Sequence, residues 1–190
     1  MTSYMSEREL ISLGFASCGR NVRISTKASI YGAPRISLGN DVRIDDFCIL
    51  SAGEGGIEIG SYVHIAAFSM LVGKARIQML DFSGLSSRVS VYSSSDDYSG
   101  TALTNPTVPA KYTNVKHAPV SIGRHAIVGA GAVILPGAQL HEGVAVGAMS
   151  LVTRDCDEFG VYAGIPARRR GERQRLLLEM EALLAGEKKD

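Results

Sequence analysis

Four histidines, His64, His117, His125 and His141, are the side chains of this sequence best suited to take a proton at neutral pH. His64 immediately precedes the apolar Ile65, and His117 ends a polar stretch that carries the carboxylates Asp96 and Asp97. Two nearly bare segments, "VGAGA" at 128–132 and "VGAMS" at 146–150, lie 18 residues apart and present Gly129, Ala130, Gly147 and Ala148. A long, thin ligand can follow such a surface through its backbone groups. "AGIPARRR" at 163–170 ends in Arg168, Arg169 and Arg170, the residue type that reads phosphate through a fork of N–H donors. The three cysteines, Cys18, Cys48 and Cys156, are odd in number and lack metal-type spacing. These groups share one surface only if the chain brings residues tens of positions apart into register.

The element that does so is written most clearly in 122–152, "IGRHAIVGAGAVILPGAQLHEGVAVGAMSLV". An aliphatic residue returns every sixth position: Ile122, Val128, Ile134, Leu140, Val146 and Val152. The residues two earlier, Val120, Ala126, Ala132, Ala138, Val144 and Ser150, are small or β-branched. Six is neither the helical period nor a simple strand alternation. Three hexapeptides make an 18-residue coil, which predicts a three-sided solenoid with one short strand per side. Backwards along the chain the same ruler gives Cys18, Ile24 and Ile30, then Leu38, Ile44 and Leu50, then Ile59, Ile65 and Leu71, then Met79, Leu85 and Val91. All eighteen corner positions are apolar. Cys18 and Cys48 fall on inward positions and are expected to be packing residues, whereas Cys156 has no assigned role.

The period breaks twice. Residues 93–119 form a polar, Pro-bearing excursion, and loops of that length in compact folds are commonly functional. After Val161 the period ends, and 172–187 predict a helix with Leu176, Leu177, Met180, Leu183 and Leu184 on one face. "SEREL" from Ser6 predicts an N-capped helix at the other end. The expected organisation is an N-terminal helical cap over 1–17, a β-helix over 18–170 and a C-terminal helix over 171–190. Apolar residues make up 45% and charged residues 21%, as in soluble globular chains. Twenty Lys and Arg against 19 Asp and Glu give no case for nucleic acid. No apolar run reaches the ~18 residues of a membrane span and no signal peptide is visible, so a cytoplasmic location is expected.

The [LIV]-G-x4 series in "LGNDVRI", "IGSYVHI" and "IGRHAIVGAGAVILPG", closed by "VYAGIPARRR", resembles the hexapeptide-repeat acyltransferases. The resemblance covers about residues 18–170. It implies an all-β fold, a left-handed parallel β-helix with a long loop excursion and short capping helices at both ends. It also implies a homotrimer with sites between subunits, and acetyl-CoA as co-substrate with no metal. "VRIDDFCILS", "SYVHIAAFSMLVG", "SSRVSVYSSSDDYSG" and "LTNPTVP" further resemble a sugar acyltransferase subgroup serving lipopolysaccharide, O-antigen or capsule synthesis. Some members acetylate the 4-amino group of a dTDP-4-amino-4,6-dideoxyhexose, and others are galactoside O-acetyltransferases.

By that resemblance Gly129, Ala130, Gly147 and Ala148 line the pantetheine track. Gly164, Pro166, Arg168 and Arg169 belong to the closing segment, where a cation meets the CoA phosphates. The family's usual base is a histidine six residues after the corner that precedes the loop, but here that count from Val91 reaches Asp97. The candidate catalytic residues are therefore His64, Asp97 and His117, with Asp96, Tyr98 and Asn105 as substrate contacts. His64 lies one coil before Gly84, whose missing side chain leaves space. His125 and His141 sit at turns and read as structural. A sugar hydroxyl benefits strongly from an imidazole base, whereas a neutral amine is already a nucleophile. The missing loop histidine thus favours N-acetylation. Alternatives are O-acetylation of a galactoside or polysaccharide sugar, a non-catalytic β-helix scaffold, and a metal site built from His64, His117 and His125 as in γ-carbonic anhydrases.

Overall fold

The computed structural model describes residues 4–187, and its chain winds into a prism with three faces of six, eight and six strands, parallel except for the last strand of the second. The six-residue ruler is the reason. Cys18, Leu38, Ile59, Met79, Ile122 and Leu140 lie on face one; Ile24, Ile44, Ile65, Leu85, Val128 and Val146 on face two; Ile30, Leu50, Leu71, Val91, Ile134 and Val152 on face three. Pairing is in register from coil to coil, for example Leu38 with Ile59, Ile65 with Leu85 and Ile134 with Val152. Sixteen of the eighteen corners are buried. Each such aliphatic side chain contributes about 1.5–3 kcal/mol by leaving water. The positions two earlier also face the interior, filled by small or β-branched side chains, from Ala126, Ala132 and Ala138 to Ile36, Ile57 and Ile77, all buried. Where serine takes that place its hydroxyl is satisfied, as in Ser69 Oγ to the Ser86 carbonyl at 3.0 Å and Ser83 Oγ to that of Leu80 at 2.6 Å.

The two exceptions lie in coil one. Ile30 is half-buried and Cys18 is exposed, correcting the expectation that Cys18 is a packing residue. Among the described residues no coil lies beyond the first, and Cys18 opens into a cleft of about 680 Å³ that Met5, Leu10 and Phe15 also line. Cys48 is buried as expected, and Cys156 acquires a role: it pairs beneath Leu140, extends face one, and burial pushes its thiol up to about 11.

Helix α1 (Glu7–Leu13) starts at Ser6 through a capping box with Glu9 and ends on Gly14 in the left-handed region. Met5, Leu10 and Phe15 pack on the core, closing that end of the prism. Helix α2 (Leu176–Glu187) docks differently from the expectation. Leu176, Met180 and Leu183 remain 57%, 57% and 62% exposed, while Glu181 faces the coils. The docking contacts are charged: Glu181 meets Arg124 Nη1 at 2.5 Å and His125 Nε2 at 2.7 Å. The chain between 168 and 172 is a strand, Arg168–Glu172, antiparallel to Gly160–Ala163, so the sheet continues past the boundary drawn at 170. The expected end segments include residues 1–3 and 188–190, which lie outside the described residues.

Candidate functional site

In each coil a four-residue turn joins face two to face three, and these turns stack into one ridge. Phe47, Phe68, Arg88, Gly131 and Met149 hold its third position with φ between 56° and 71°, the type II turn geometry. Amides of one coil bond carbonyls of the previous one, Phe68 to Asp46, Arg88 to Ala67, Gly131 to Ser87 and Met149 to Ala130, at 2.9–3.0 Å. Residues far apart in sequence therefore share one edge.

The half of the ridge in coils five and six is bare. Gly129, Ala130, Gly147 and Ala148 lie one above the other, with the Gly129 amide donating to the Val146 carbonyl at 2.8 Å. A Cβ on Gly129 would come within 2.4 Å of the Ala148 nitrogen, so this glycine is required by coil stacking. Ala130 and Ala148 point to solvent. Gly164 ties the closing segment to the ridge: its carbonyl accepts from the Leu151 amide at 3.0 Å and its amide donates to Ser150 Oγ at 3.1 Å. Pro166 follows, exposed. Of the two cations assigned to this end, Arg169 is engaged by Asp157 and Glu172, whereas Arg168 donates only to the Ala167 carbonyl among the described residues. Arg168 is the one with charge to spare.

At the foot of the bare half, face two carries a groove of about 300 Å³ lined by His64, Ala66, Gly84, Ser86, Ser87 and Ile127. Gly84 pairs directly with His64 and leaves the space beside the ring open. His64 Nε2 meets Asp45 Oδ2 at 2.8 Å, and Arg43 Nε donates to the other oxygen at 2.7 Å. Burial opposes the Asp45 charge, but hydrogen bonds from His64 and Arg43 outweigh it and hold the carboxyl below its ordinary value. A carboxylate on one ring nitrogen leaves the other to face a reactant, the arrangement that orients a general base. Asp45 and the two serines were missed in the sequence. Their signal was a place on the turn that follows the face-two strand, in the coil before or after the one that carries His64.

The excursion is tied at its neck. Ser94 and Ser95 pair antiparallel with His117 and Lys116, and the Ala118 amide returns to the Ser93 carbonyl at 3.1 Å. Ser94 Oγ meets His117 Nδ1 at 2.8 Å and accepts from the Lys74 amide at 2.8 Å. Asp97, 8% exposed, accepts from the amides and hydroxyls of Ser99 and Thr101 at 2.8–3.2 Å. The Ser99 hydroxyl bond is the largest cause that holds its carboxyl below the ordinary range, and burial opposes it. Asp96 is half-buried beside it, Tyr98 is 93% exposed, and Asn105 spends its side-chain oxygen on Thr107.

Within one chain the expected pair His64 and Asp97 is not brought together, since His64 lies on face two and Asp97 beyond the end of face three. His117 and the 94–97 segment do share one hairpin. His125 is structural: it stacks on Phe82 at 5.0 Å and pairs with Glu181, while Phe82 stacks on Tyr62 at 4.6 Å. His64, His117 and His125 stand on three separate elements, and no group of three metal-ligating side chains converges among the described residues. The exposed His141 follows corner Leu140.

A three-sided parallel β-helix with a bare Gly-Ala edge and a cationic closing segment defines a class, and the chain belongs to it: the hexapeptide-repeat β-helix acyltransferases. Over 181 residues it is 51% identical to a dTDP-4-amino-4,6-dideoxy-D-glucose acyltransferase of Escherichia coli, covering 95% of this chain and 94% of that one. It superposes with a TM-score of 0.96 and 47% identity, over the full length of both chains, on AntD, an N-acyltransferase from Bacillus cereus in complex with dTDP and 3-hydroxybutyryl-CoA. A serine variant of AntD, in complex with dTDP-4-amino-4,6-dideoxyglucose and coenzyme A, matches with a TM-score of 0.95 and 47% identity over 98% of this chain and 100% of that one. AntD also exists as aspartate variants, the aspartate lying ten positions after that serine. No protein-family model matches the chain. Membership in an enzyme family sets aside the scaffold alternative. Among the described residues no helix is long and apolar enough to cross a membrane.

Proposed function

We propose that this protein transfers an acyl group from acyl-CoA to the amine of a dTDP-4-amino-4,6-dideoxyhexose, in the cytoplasm, as a step in O-antigen or related polysaccharide synthesis. The observation that carries the reading is the ridge, bare through coils five and six and ending at a small groove with His64, Ser86 and Ser87. The donor lies along Gly129, Ala130, Gly147 and Ala148, its phosphates toward Arg168, and its thioester reaches the groove. Ser87 and Asp97 are ten residues apart, the serine-to-aspartate interval of the AntD variants. Because groove and excursion belong to different sides of one chain, the site is completed between copies in a homotrimer, the excursion of one reaching the groove of the next.

The neutral amine nitrogen bonds to the thioester carbon while the carbonyl π electrons move to oxygen. The Ser87 hydroxyl, which makes no hydrogen bond among the described residues, donates to that oxyanion. The C–S bond then breaks and CoA leaves as thiolate. Asp97, held ionised, anchors the amine and takes the proton that nitrogen sheds after attack, when the N–H has become acidic; the proton passes on to the thiolate. The Asp45–His64 pair supports a second reading in which the free ring nitrogen takes that proton. Asp96 and Tyr98 contact the acceptor sugar.

The test is a free-thiol assay with acetyl-CoA and 3-hydroxybutyryl-CoA over amino and non-amino dTDP sugars. Release of thiol only with a 4-amino sugar is expected, and preference for a hydroxyl acceptor overturns the reading in favour of O-acylation. Mixed oligomers of Ser87→Ala and Asp97→Asn chains should recover activity that neither has alone. Failure to recover refutes a site shared between copies. Asp97→Asn and His64→Gln compared at saturating substrate rank the two proton acceptors.

A further inference from the structure

The two ends of the prism are finished differently. At the far end Cys156 pairs onto Leu140 on face one, the charged strand Arg168–Glu172 covers face two, and Leu151 on face three bonds Gly164 and Ala167. At coil one only face two is covered, where the Met5 amide donates to the Ile24 carbonyl at 2.8 Å and Tyr4 bridges Ser25. Faces one and three end on Ser17–Cys18 and Ser29–Tyr31, and among the described residues no strand pairs beyond either. An open strand edge is a template for another chain, and neither segment carries the charges that commonly blunt one. Beside these edges the cleft of about 680 Å³ lies against helix α1, lined by the apolar Met5, Leu10, Ile11, Phe15 and Val22. Ile11 remains 72% exposed. Two opposite charges, Glu7 and Arg20, also line the cleft, and among the described residues neither side chain has an ion pair or hydrogen bond. Arg20 is held only by its backbone amide, which donates to Asn40 Oδ1 at 2.8 Å.

We propose that this end of the tube is an association surface for a second copy of the same chain, the two copies related by a two-fold axis. Ile11 of each copy enters the cleft of the other, and Glu7 of each copy faces the partner's Arg20. In a two-fold contact one patch serves both sides, so it must complement itself. This patch does: it carries one acid and one base, both unpaired, and an apolar cleft beside an exposed aliphatic side chain that can fill it. A ligand of single charge would answer only one of the two. Cover over coil one also brings Cys18 and Ile30 toward the burial that the other sixteen corners already have. Exposed charge pairs add little affinity, but like charges facing each other oppose docking, so the pair fixes how the copies meet. The bare Gly-Ala ridge lies in coils five and six, away from this end, so the contact is independent of the function proposed above.

Light scattering on the full-length protein over a concentration series tests this, with thermal melts to confirm folding. The parent should reach twice the mass of Ile11→Asp, a substitution at an exposed position of α1. Arg20→Glu and Glu7→Arg each set like charges opposite one another at two symmetry-related points, and should weaken association roughly tenfold to a hundredfold. The double variant Glu7→Arg/Arg20→Glu exchanges the charges and should regain the parent's mass, which damage to the fold would not give. Thiol labelling reads the same end, because Cys18 is exposed whereas Cys48 and Cys156 are buried. With free chain at about ten times the Kd, labelling should slow about tenfold relative to Ile11→Asp by mass action. Equal masses for the parent and Ile11→Asp at every concentration overturn the contact, whatever activity the enzyme shows. A mass lost in the single charge variants and not regained in the double one also overturns it, since the charges then do not meet across copies. Cys18 labelling that slows in the parent without a change of mass overturns it too, and makes the cover something other than a second copy. A chain that doubles its mass but transfers no acyl group sinks the proposed function and leaves the contact standing.

Discussion

Replacing Gly129 with alanine separates two reasons for a bare ridge. The added methyl would sit 2.4 Å from the Ala148 nitrogen, about 1 Å inside the 3.4 Å at which ordinary contact begins. The neighbouring backbone has little freedom to retreat. Gly129 N bonds Val146 O at 2.8 Å, Ile127 N bonds Val144 O at 2.9 Å and Met149 N bonds Ala130 O at 2.9 Å. Forcing a methyl into such packing costs about 1–3 kcal/mol. For a domain of this size each kcal/mol moves Tm by roughly 2–4 °C, so a loss of about 2–12 °C is expected. Gly147→Ala is the control, because its methyl would meet chiefly the Ala163 Cβ at 3.1 Å, a softer encounter. Ala130→Leu and Ala148→Leu complete the set: both side chains point to solvent, so Tm should stay within about 1–2 °C while the bulk obstructs a ligand on the ridge. Thermal melts with and without CoA read both effects. If Gly129→Ala melts with the parent, coil stacking is not what demands glycine there. If the leucine variants still show the full CoA-induced shift, the cofactor does not lie on this edge.

Two further outcomes follow from the charges. Hydrogen bonds hold the Asp97 carboxyl below its ordinary value, so the stabilisation it gives the 97–101 turn is complete above the unfolded carboxylate pKa and is lost as pH falls through the lower folded one. Hydrogen exchange at the Ser99 and Thr101 amides should therefore be slow and insensitive to this group between pH 5 and 8, and fast at neutral pH in Asp97→Ala; equal protection in that variant refutes the assignment. Glu181→Ala should release helix α2, raising exchange over 176–187 by about tenfold as the bonds to Arg124 and His125 are lost, with the prism amides unchanged. Unaltered exchange in the helix would show that its half-buried leucines, not Glu181, hold it.

The prism was legible because its signal is additive: eighteen apolar corners at one spacing leave few other folds, and each reports the same period. What escaped was set by neighbours rather than by period. Cys18 obeys the ruler but lies where no further coil covers it. The leucines of α2 suggest an inward apolar face, yet Glu181 meets Arg124 and His125 on the coils, and a charged contact fixes the helix rotation. Asp45 was not read as a partner of His64 because outward positions carry no hydrophobic signal. Its place was still computable, 19 residues back and one coil away. His64 was read as outward and is exposed, but no count along the chain tells which of three faces a residue leaves from once a long excursion intervenes, as it does around Asp97.

The neck of that excursion has a consequence for how such enzymes diversify. Ser93 and Ala118 close on each other, and Met79 on face one pairs directly with Ile122 in the next coil, so the winding continues as though nothing had been inserted. Everything between the two neck residues can lengthen, shorten or change composition without altering the pitch. Under the function proposed above, the donor track in the wall of the tube is thereby insulated from changes in the excursion, and a new sugar preference can arise in that one segment without renegotiating the rest of the molecule.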